Sequence, residues 1–313
     1  MTSGSSLPDS LQVAALQGLS SKGKTLPAAL FYDAIGARIF EEICKVPEYY
    51  PTRTEISILE QYAPTLASQV GSDAALIEYG SGSGEKVQYL LDHLASPAAY
   101  IPVDVSREQL LEVAAERSVQ YPELPILPIC ADYTEPFDFP SFPNESRRIA
   151  FFPGSTIGNF HPNEAVAFLK QVRQTVRQEG KMILGVDRRK DPSILNAAYN
   201  DEAGLTAAFN LNILAHLNRE LDATFNLSHF RHIAFFNAKT SRIEMHLESL
   251  ISHQIMIAGR LIDFKEGERI HTECSYKYDE ERLTELVEAS GFQIDVLYTD
   301  TREWFWIALL SSS

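Results

Sequence analysis

The spacing of apolar residues changes along this chain, and each change predicts a different kind of element. Over residues 27–46 (PAALFYDAIGARIFEEICKV) Leu30, Ile35, Ile39, Phe40 and Ile43 recur near the helical period, which predicts one helix ended by Pro47. In PEYYPTRTE, Thr52 and Glu55 match the S/T-x-x-E capping box, predicting a second helix with Ile56, Leu59, Tyr62 and Leu66 inward. From residue 75 short apolar runs alternate with amphipathic ones. ALIEYG precedes a helix over KVQYLLDHL, and AYIPVDVS precedes one over 107–117. LPILPICADY and RRIAFFPGS follow, then a helix over PNEAVAFLKQVRQTVRQEG stopped by Gly180, and the strand KMILGVD. This alternation predicts a parallel sheet covered on both faces, with ligands at the carboxyl ends of its strands.

Between residues 190 and 277 the alternation stops. NAAYNDEAGLTAAFNLNILAHLNREL reads as helix, and HIAFFNA, SRIEMHLES, HQIMIA and RLIDF as antiparallel strands of period two. The last segment, DEERLTELVEASGFQIDVLYTDTREWFWIALL, reads as helix, strand, turn, strand, with the final pair a hairpin at the sheet edge. The expected organisation is a doubly wound domain over 55–189 and 278–313, and a smaller α+β substrate domain over 1–54 and 190–277.

Composition narrows the class. A formal net charge of −15, from 27 basic and 42 acidic residues, repels phosphate backbones and anionic lipid, so neither nucleic acid nor membrane is expected as a partner. The 3 cysteines (Cys44, Cys130, Cys274) are scattered, which fits a reducing compartment and argues against a disulfide framework or a zinc site. The polar start MTSGSSLPDS lacks a signal-peptide pattern. The expectation is a cytoplasmic, metal-free monomer.

Residues 78–84, EYGSGSG, close the first apolar run, and Lys86 follows. A phosphate-cradling G-x-x-x-x-G-K-[S/T] loop is excluded, because Glu85 separates Gly84 from Lys86 and Val87 replaces the hydroxyl. The dinucleotide pattern G-x-G-x-x-G fits poorly, and leaves an NAD(P)-binding oxidoreductase as an alternative. E-x-G-x-G-x-G resembles instead the loop of class I S-adenosylmethionine-dependent methyltransferases. In that setting Gly80, Gly82 and Gly84 let the backbone approach the amino-acid part and ribose of the cofactor, and Glu78 suits its ammonium. Asp104 ends the second strand, where ribose hydroxyls would be accepted. Asp132 ends the third, near the adenine amino group, with Tyr133 to pack on the ring. An aspartate after a strand is more often a helix cap, but three carboxylates at successive strand ends are hard to obtain by accident. Lys86 suits the cofactor carboxylate, or stands as a solvated lysine. The fold class is then α/β: a Rossmann-like doubly wound sheet of the class I methyltransferase type with a C-terminal antiparallel hairpin, plus the smaller α+β domain.

FYDAIGARIFEEI, PEYYPTRTE, EYGSGSGEK, FFPGSTIGNF, AAYNDEAGLTAAFN and HTECSYKY, in this order, resemble histidine Nα-methyltransferases of the ergothioneine pathway over residues 20–311. The resemblance implies S-adenosylmethionine as methyl donor, S-adenosylhomocysteine as product, and L-histidine as substrate, trimethylated at its α-amino group to hercynine. PEYYPTRTE and GSTIGNF are shared with enzymes methylating a prenylated tryptophan, so a tryptophan-like or other small amine is the alternative. The resemblance turns Glu273 and Ser275 toward the imidazole and Met245 toward the ring pocket. It gives the substrate carboxylate to Asn159 and Tyr199, with Tyr49 nearby and Tyr50 one residue away from the same role. Tyr32 and the Gly154 backbone would lie close to the amine, making Tyr32 and Asn159 the candidate catalytic pair. A carboxylate beside a hydroxyl suits a ring with one N–H and one acceptor nitrogen, whereas an indole offers only a donor. Cys274 should turn to the opposite face of its strand. Competing readings make Asn159 or Asn163 a helix cap, and GSTIG a poor G-x-S-x-G elbow with Thr156 in the nucleophile's place.

Overall fold

A computed structural model describes residues 9–135, 137–139 and 147–312. Residues 1–8, read above as lacking a signal pattern, lie outside the described residues. In chain order the elements begin with α1 (Asp9–Ser20), α2 (Ala34–Ile43), α3 (Tyr50–Val70), β1 (Ala74–Tyr79), α4 (Glu85–Leu91), β2 (Ala99–Asp104) and α5 (Arg107–Gln120). They continue with β3 (Ile129–Cys130), β4 (Arg147–Phe152), α6 (Pro162–Val176), β5 (Lys181–Asp187), α7 (Pro192–Ala198) and α8 (Leu205–Glu220). Strands β6 (Phe230–Asn237), β7 (Arg242–Ser249), β8 (His253–Ile257), β9 (Arg260–Phe264) and β10 (Arg269–Tyr276) follow, then α9 (Glu280–Ala289), β11 (Phe292–Thr299) and β12 (Phe305–Ser312).

The chain forms two compact units, Met1–Tyr50 with Asp191–Ser275, and Pro51–Lys190 with Tyr276–Ser313. The second holds a seven-stranded sheet of order β11-β12-β5-β4-β1-β2-β3. β1 to β5 are parallel, and β12 runs antiparallel to both β5 and β11, closing the edge with the hairpin that the sequence predicts. Strand order reverses between β1 and β4, the switch point where doubly wound sheets open a crevice beyond their carboxyl ends. β1 is buried at every position. Ala75, Ile77 and Tyr79 pack with α6 and α9 on one face, Ala74 and Leu76 with α3 and α4 on the other, which explains its unbroken apolar run.

In the first unit β10, β7 and β6 form a three-stranded sheet, in that order, while β8 and β9 pair separately as a hairpin. Helix α8 packs on α2 and on β6 and β7.

Several elements depart from the apolar pattern for local physical reasons. The helix expected over 27–46 is broken: Ala28–Phe31 makes a 3-10 turn, and Asp33 caps α2 by accepting the Gly36 N–H at 2.7 Å. A Cβ at Gly36 would stand 1.7 Å from the Phe31 carbonyl oxygen, so this turn requires glycine. The helix expected over 196–221 splits into α7 and α8, because Asp201 caps α8 through the Leu205 and Thr206 N–H groups. The third strand is continuous only over Ile129–Cys130, with a separate bridge between Ile126 and Tyr100, and Pro125 and Pro128 contribute no N–H. Helix α6 stops at Val176, with Arg177 at φ +66°, rather than at Gly180. The expected capping box falls inside the helix rather than at its start. Helix α3 already contains Thr52, and the Glu55 side chain turns into the protein.

Candidate active site

The glycine loop follows β1. Gly80, Gly82 and Gly84 have φ of +69°, +49° and +68°. The Gly80 N–H donates to the Val103 carbonyl (2.8 Å), and the Gly82 N–H to Asp104 Oδ2 (3.2 Å), so the end of β2 supports the loop. Asp104 Oδ1 accepts the Ser106 N–H at 2.9 Å. A Cβ at Gly84 would stand 2.6 Å from Val113 Cγ1, which makes this glycine a packing requirement against α5. A Cβ at Gly82 would meet nothing within 4 Å, so the middle of the loop faces open space. Tyr133 lies against Gly80 and packs among Tyr79, Phe152 and Phe168. Asp132 is exposed and accepts from the Thr134 N–H (2.9 Å) and hydroxyl (2.6 Å). Beneath the loop Glu78 is buried and accepts from the Tyr100 hydroxyl. Burial pushes its carboxyl up to about 8, against the lowering effects of Tyr100 and Lys86. The Ser81 hydroxyl is buried with no hydrogen-bond partner among the described residues.

At the end of β4, Gly154 adopts φ +79° and its N–H points to both oxygens of Glu55, 2.9 Å from each. Lys86 Nζ lies 2.6 Å from Glu55 Oε2, so Lys86 is an ion-paired residue and not a solvated one. Thr156 donates its hydroxyl to the Pro153 carbonyl (2.9 Å), and the Ser155 hydroxyl accepts the Asp187 N–H (2.8 Å). Both hydroxyls of the elbow-like GSTIG therefore serve the backbone. Asn159 ends a 3-10 helix over Thr156–Asn159. Helix α6 is capped at His161, whose N–H donates to Glu164 at 2.8 Å, so neither Asn159 nor Asn163 is the cap.

In the other unit an aromatic cluster gathers Tyr32, Tyr49 and Tyr199 around Phe40 and Phe209. Centroids are 5.9 Å apart for Tyr32–Phe40, 5.7 Å for Tyr32–Phe209, 6.0 Å for Phe40–Tyr49 and 6.3 Å for Tyr49–Tyr199. Tyr50 instead is buried at the start of α3. Asp33 fixes the segment after Tyr32 by also accepting from Asn212 (2.8 Å) and Arg219 of α8. Burial holds the Tyr49 phenol well above its usual pKa, with Tyr199, Cys44, Tyr32 and Glu273 adding to the effect. Glu273 is half-buried on β10, two residues from the buried Ser275 and so on the same face by strand pleat. Met245 is buried in the core of this unit, on β7.

Tyr199 is held from behind. His232 Nε2 lies 2.9 Å from the Tyr199 carbonyl, and its Nδ1 lies 2.9 Å from Asn210 Nδ2. Asn210 Nδ2 also meets the His246 carbonyl (3.0 Å), and its Oδ1 accepts from Thr272 (2.8 Å), the neighbour of Glu273. Carbonyls only accept, so Asn210 donates and His232 is neutral with its proton on Nε2. Burial accordingly lowers its pKa below the ordinary 6.5. A depressed histidine pKa means stability that is present above pH 6.5 and lost as pH falls below it. Replacing His232 by Phe should cost ~1–3 kcal/mol in urea unfolding at pH 8, because two buried partners go unpaired, and the deficit should shrink below pH 6.

A glycine loop at the switch point with a carboxylate at the following strand end has the form of a cofactor cradle, and the other unit gathers three phenols in one aromatic cluster. The family described as histidine-specific, S-adenosylmethionine-dependent methyltransferase matches residues 11–312. The chain belongs to this methyltransferase family. It is 37% identical over 297 residues to histidine N-alpha-methyltransferase of Mycolicibacterium smegmatis, covering 93% of this chain and 92% of that one. Identity to the enzyme of the same name from Mycobacterium tuberculosis is 36%, with the same coverage. The 4-dimethylallyltryptophan N-methyltransferase of Claviceps purpurea is 26% identical over 324 residues, covering 93% and 92%.

The loop fits the methyltransferase's cofactor: open space lies over Gly82, the buried Ser81 hydroxyl has no partner among the described residues, and Asp104 holds the Gly82 N–H. Sequence reasoning missed Ser81, Phe209, His232 and, above all, Glu55. Gly185 was the available signal for Glu55, since a glycine inside a central strand marks a close approach.

Proposed function

We propose that this methyltransferase acts on the α-amino group of L-histidine, transferring three methyl groups in succession to give hercynine. The observation that carries this reading is the phenol cluster with Glu273 beside it: donors suited to a carboxylate and an acceptor suited to a ring N–H, in one unit. When bound, S-adenosylmethionine supplies an activated methyl on a sulfonium. Glu78 would hold its ammonium, Lys86 its carboxylate, Asp104 its ribose hydroxyls, and Asp132 with Tyr133 its adenine.

Tyr49 keeps its proton because burial holds its pKa up, so it donates to the substrate carboxylate. Tyr199 and Asn159 have the same role by resemblance. Glu273 accepts the imidazole N–H, Ser275 donates to the other ring nitrogen, and Met245 packs on the ring. The α-amine must react neutral. An ammonium beside a sulfonium is disfavoured by like charge, so the pocket itself promotes proton loss without a strong base. Tyr32 then orients the nitrogen lone pair. The Gly154 N–H is committed to Glu55, which leaves its carbonyl as the backbone group for the amine. Alignment of this kind is worth effective molarities of roughly 10⁵–10⁸ M. Successive methylation requires a nitrogen that can rotate, so the ring and carboxylate, not the amine, carry recognition.

Incubation with S-adenosylmethionine and each amino acid, followed by mass spectrometry, tests the reading. Histidine alone should gain up to three methyl groups; preference for tryptophan or its alkylated forms would overturn the substrate.

A further inference from the structure

Glu55 is a carboxylate with no exposure to solvent, in a helix that also turns the apolar Ile58, Leu59, Ala63 and Leu66 inward. A buried charge of this kind is costly unless paired, and removing one partner of such a pair is costlier still. Its partners come from different elements: Lys86 in the first turn of α4, directly after the glycine loop, and the Gly154 N–H beyond β4. Room for it comes from a third. A Cβ at Gly185 in β5 would stand 2.2 Å from Glu55 Oε1 and 3.2 Å from the Gly154 nitrogen. A Cβ at Gly154 would in turn lie 3.4 Å from Lys86 Nζ. Three positions, Lys86, Gly154 and Gly185, thus meet around one carboxylate.

We propose that Glu55 is a positioning residue for methyl transfer, fixing the Lys86 ammonium where a cofactor carboxylate is held and locking the Gly154 turn at the end of β4. This rests on the reading of the cradle given above. Glu55 has no exposure to solvent and acts through Lys86 and Gly154. A capping role would involve the Thr52 backbone and leave Gly185 free to vary, whereas this role makes Gly185 part of the same device.

The test is a cycle of the full-length variants E55Q, K86M and E55Q/K86M, with G185A alongside. S-adenosylhomocysteine affinity is read by calorimetry, and kcat and KM with histidine by methyl-transfer assay. E55Q keeps an acceptor for the Gly154 N–H and loses the charge. It should stay folded by circular dichroism, weaken S-adenosylhomocysteine about tenfold and lower kcat by about 10–10². The double variant should be no more than about threefold worse than the worse single, because both act through one pair. G185A, which removes neither charge, should reproduce the E55Q pattern by displacing Glu55. Should E55Q fail to fold, E55D, with its shorter reach, carries the same expectation. Affinity and kcat within twofold of wild type, or losses that multiply in the double variant, overturn the proposal. A wild-type chain that binds no S-adenosylhomocysteine overturns instead the reading of the cradle.

Discussion

Replacing Glu273 by alanine should lower kcat/KM for histidine by about 10²–10⁴ while leaving S-adenosylhomocysteine affinity within about twofold. The loss should appear chiefly in KM, because Glu273 acts on the ring, and ring binding is the same in the ground state and the transition state. A site that hydrogen-bonds a polar ring discriminates strongly, since an analogue without the matching group leaves a buried partner unpaired. The variant should therefore lose selectivity as well as rate, with the ratio of histidine to phenylalanine turnover collapsing toward unity. Steady-state kinetics with both amino acids checks this. An equal fall in histidine and cofactor affinity would show that the substitution damages the protein generally.

The second large effect concerns Glu78. Its carboxyl is pushed up to about 8 by burial, which outweighs the lowering effects of Tyr100, Lys86 and Arg117, so it is mostly protonated at neutral pH. An ammonium arriving beside it favours the ionised form, and binding should release close to one proton at pH 7. Calorimetry in buffers of different ionisation enthalpy measures that proton directly, and E78Q should abolish it together with about 10²-fold or more of cofactor affinity. The stability consequence has the opposite sign. A raised carboxyl pKa means that the stability Glu78 contributes is complete below its ordinary 4.5 and is lost as pH rises through about 8. Between pH 5 and 9 the unliganded wild type should lose ~2–4 kcal/mol relative to E78Q, because each tenfold change in an ionisation constant is worth about 1.4 kcal/mol and the site relaxes somewhat around the charge. Urea titrations across that range decide it.

Much of the sheet was legible because its determinants are local. Continuous apolar runs mark strands covered on both faces, and the glycine loop sits where ALIEYG ends, so strand types and the cradle could be placed from spacing alone. The misread helices failed where a polar side chain outcompeted periodicity: Asp33 and Asp201 capture backbone N–H groups and restart the helix. Glu55 was misread for a related reason. The same T-x-x-E letters describe a helix cap and a buried anchor, and nothing nearby in the chain distinguishes them.

The amino-acid sequence by itself determined the doubly wound architecture and the glycine-loop turn, because periodicity and turn chemistry act over a few residues, and the family entered through the resemblance of its motifs. Only the tertiary structure decided the use of each polar group. Glu55 meets Gly154 across 99 residues, and His232 reaches Tyr199 across 33. A buried charge or imidazole takes its role from the partners that desolvation forces on it, and those partners are chosen by the packing of the whole chain.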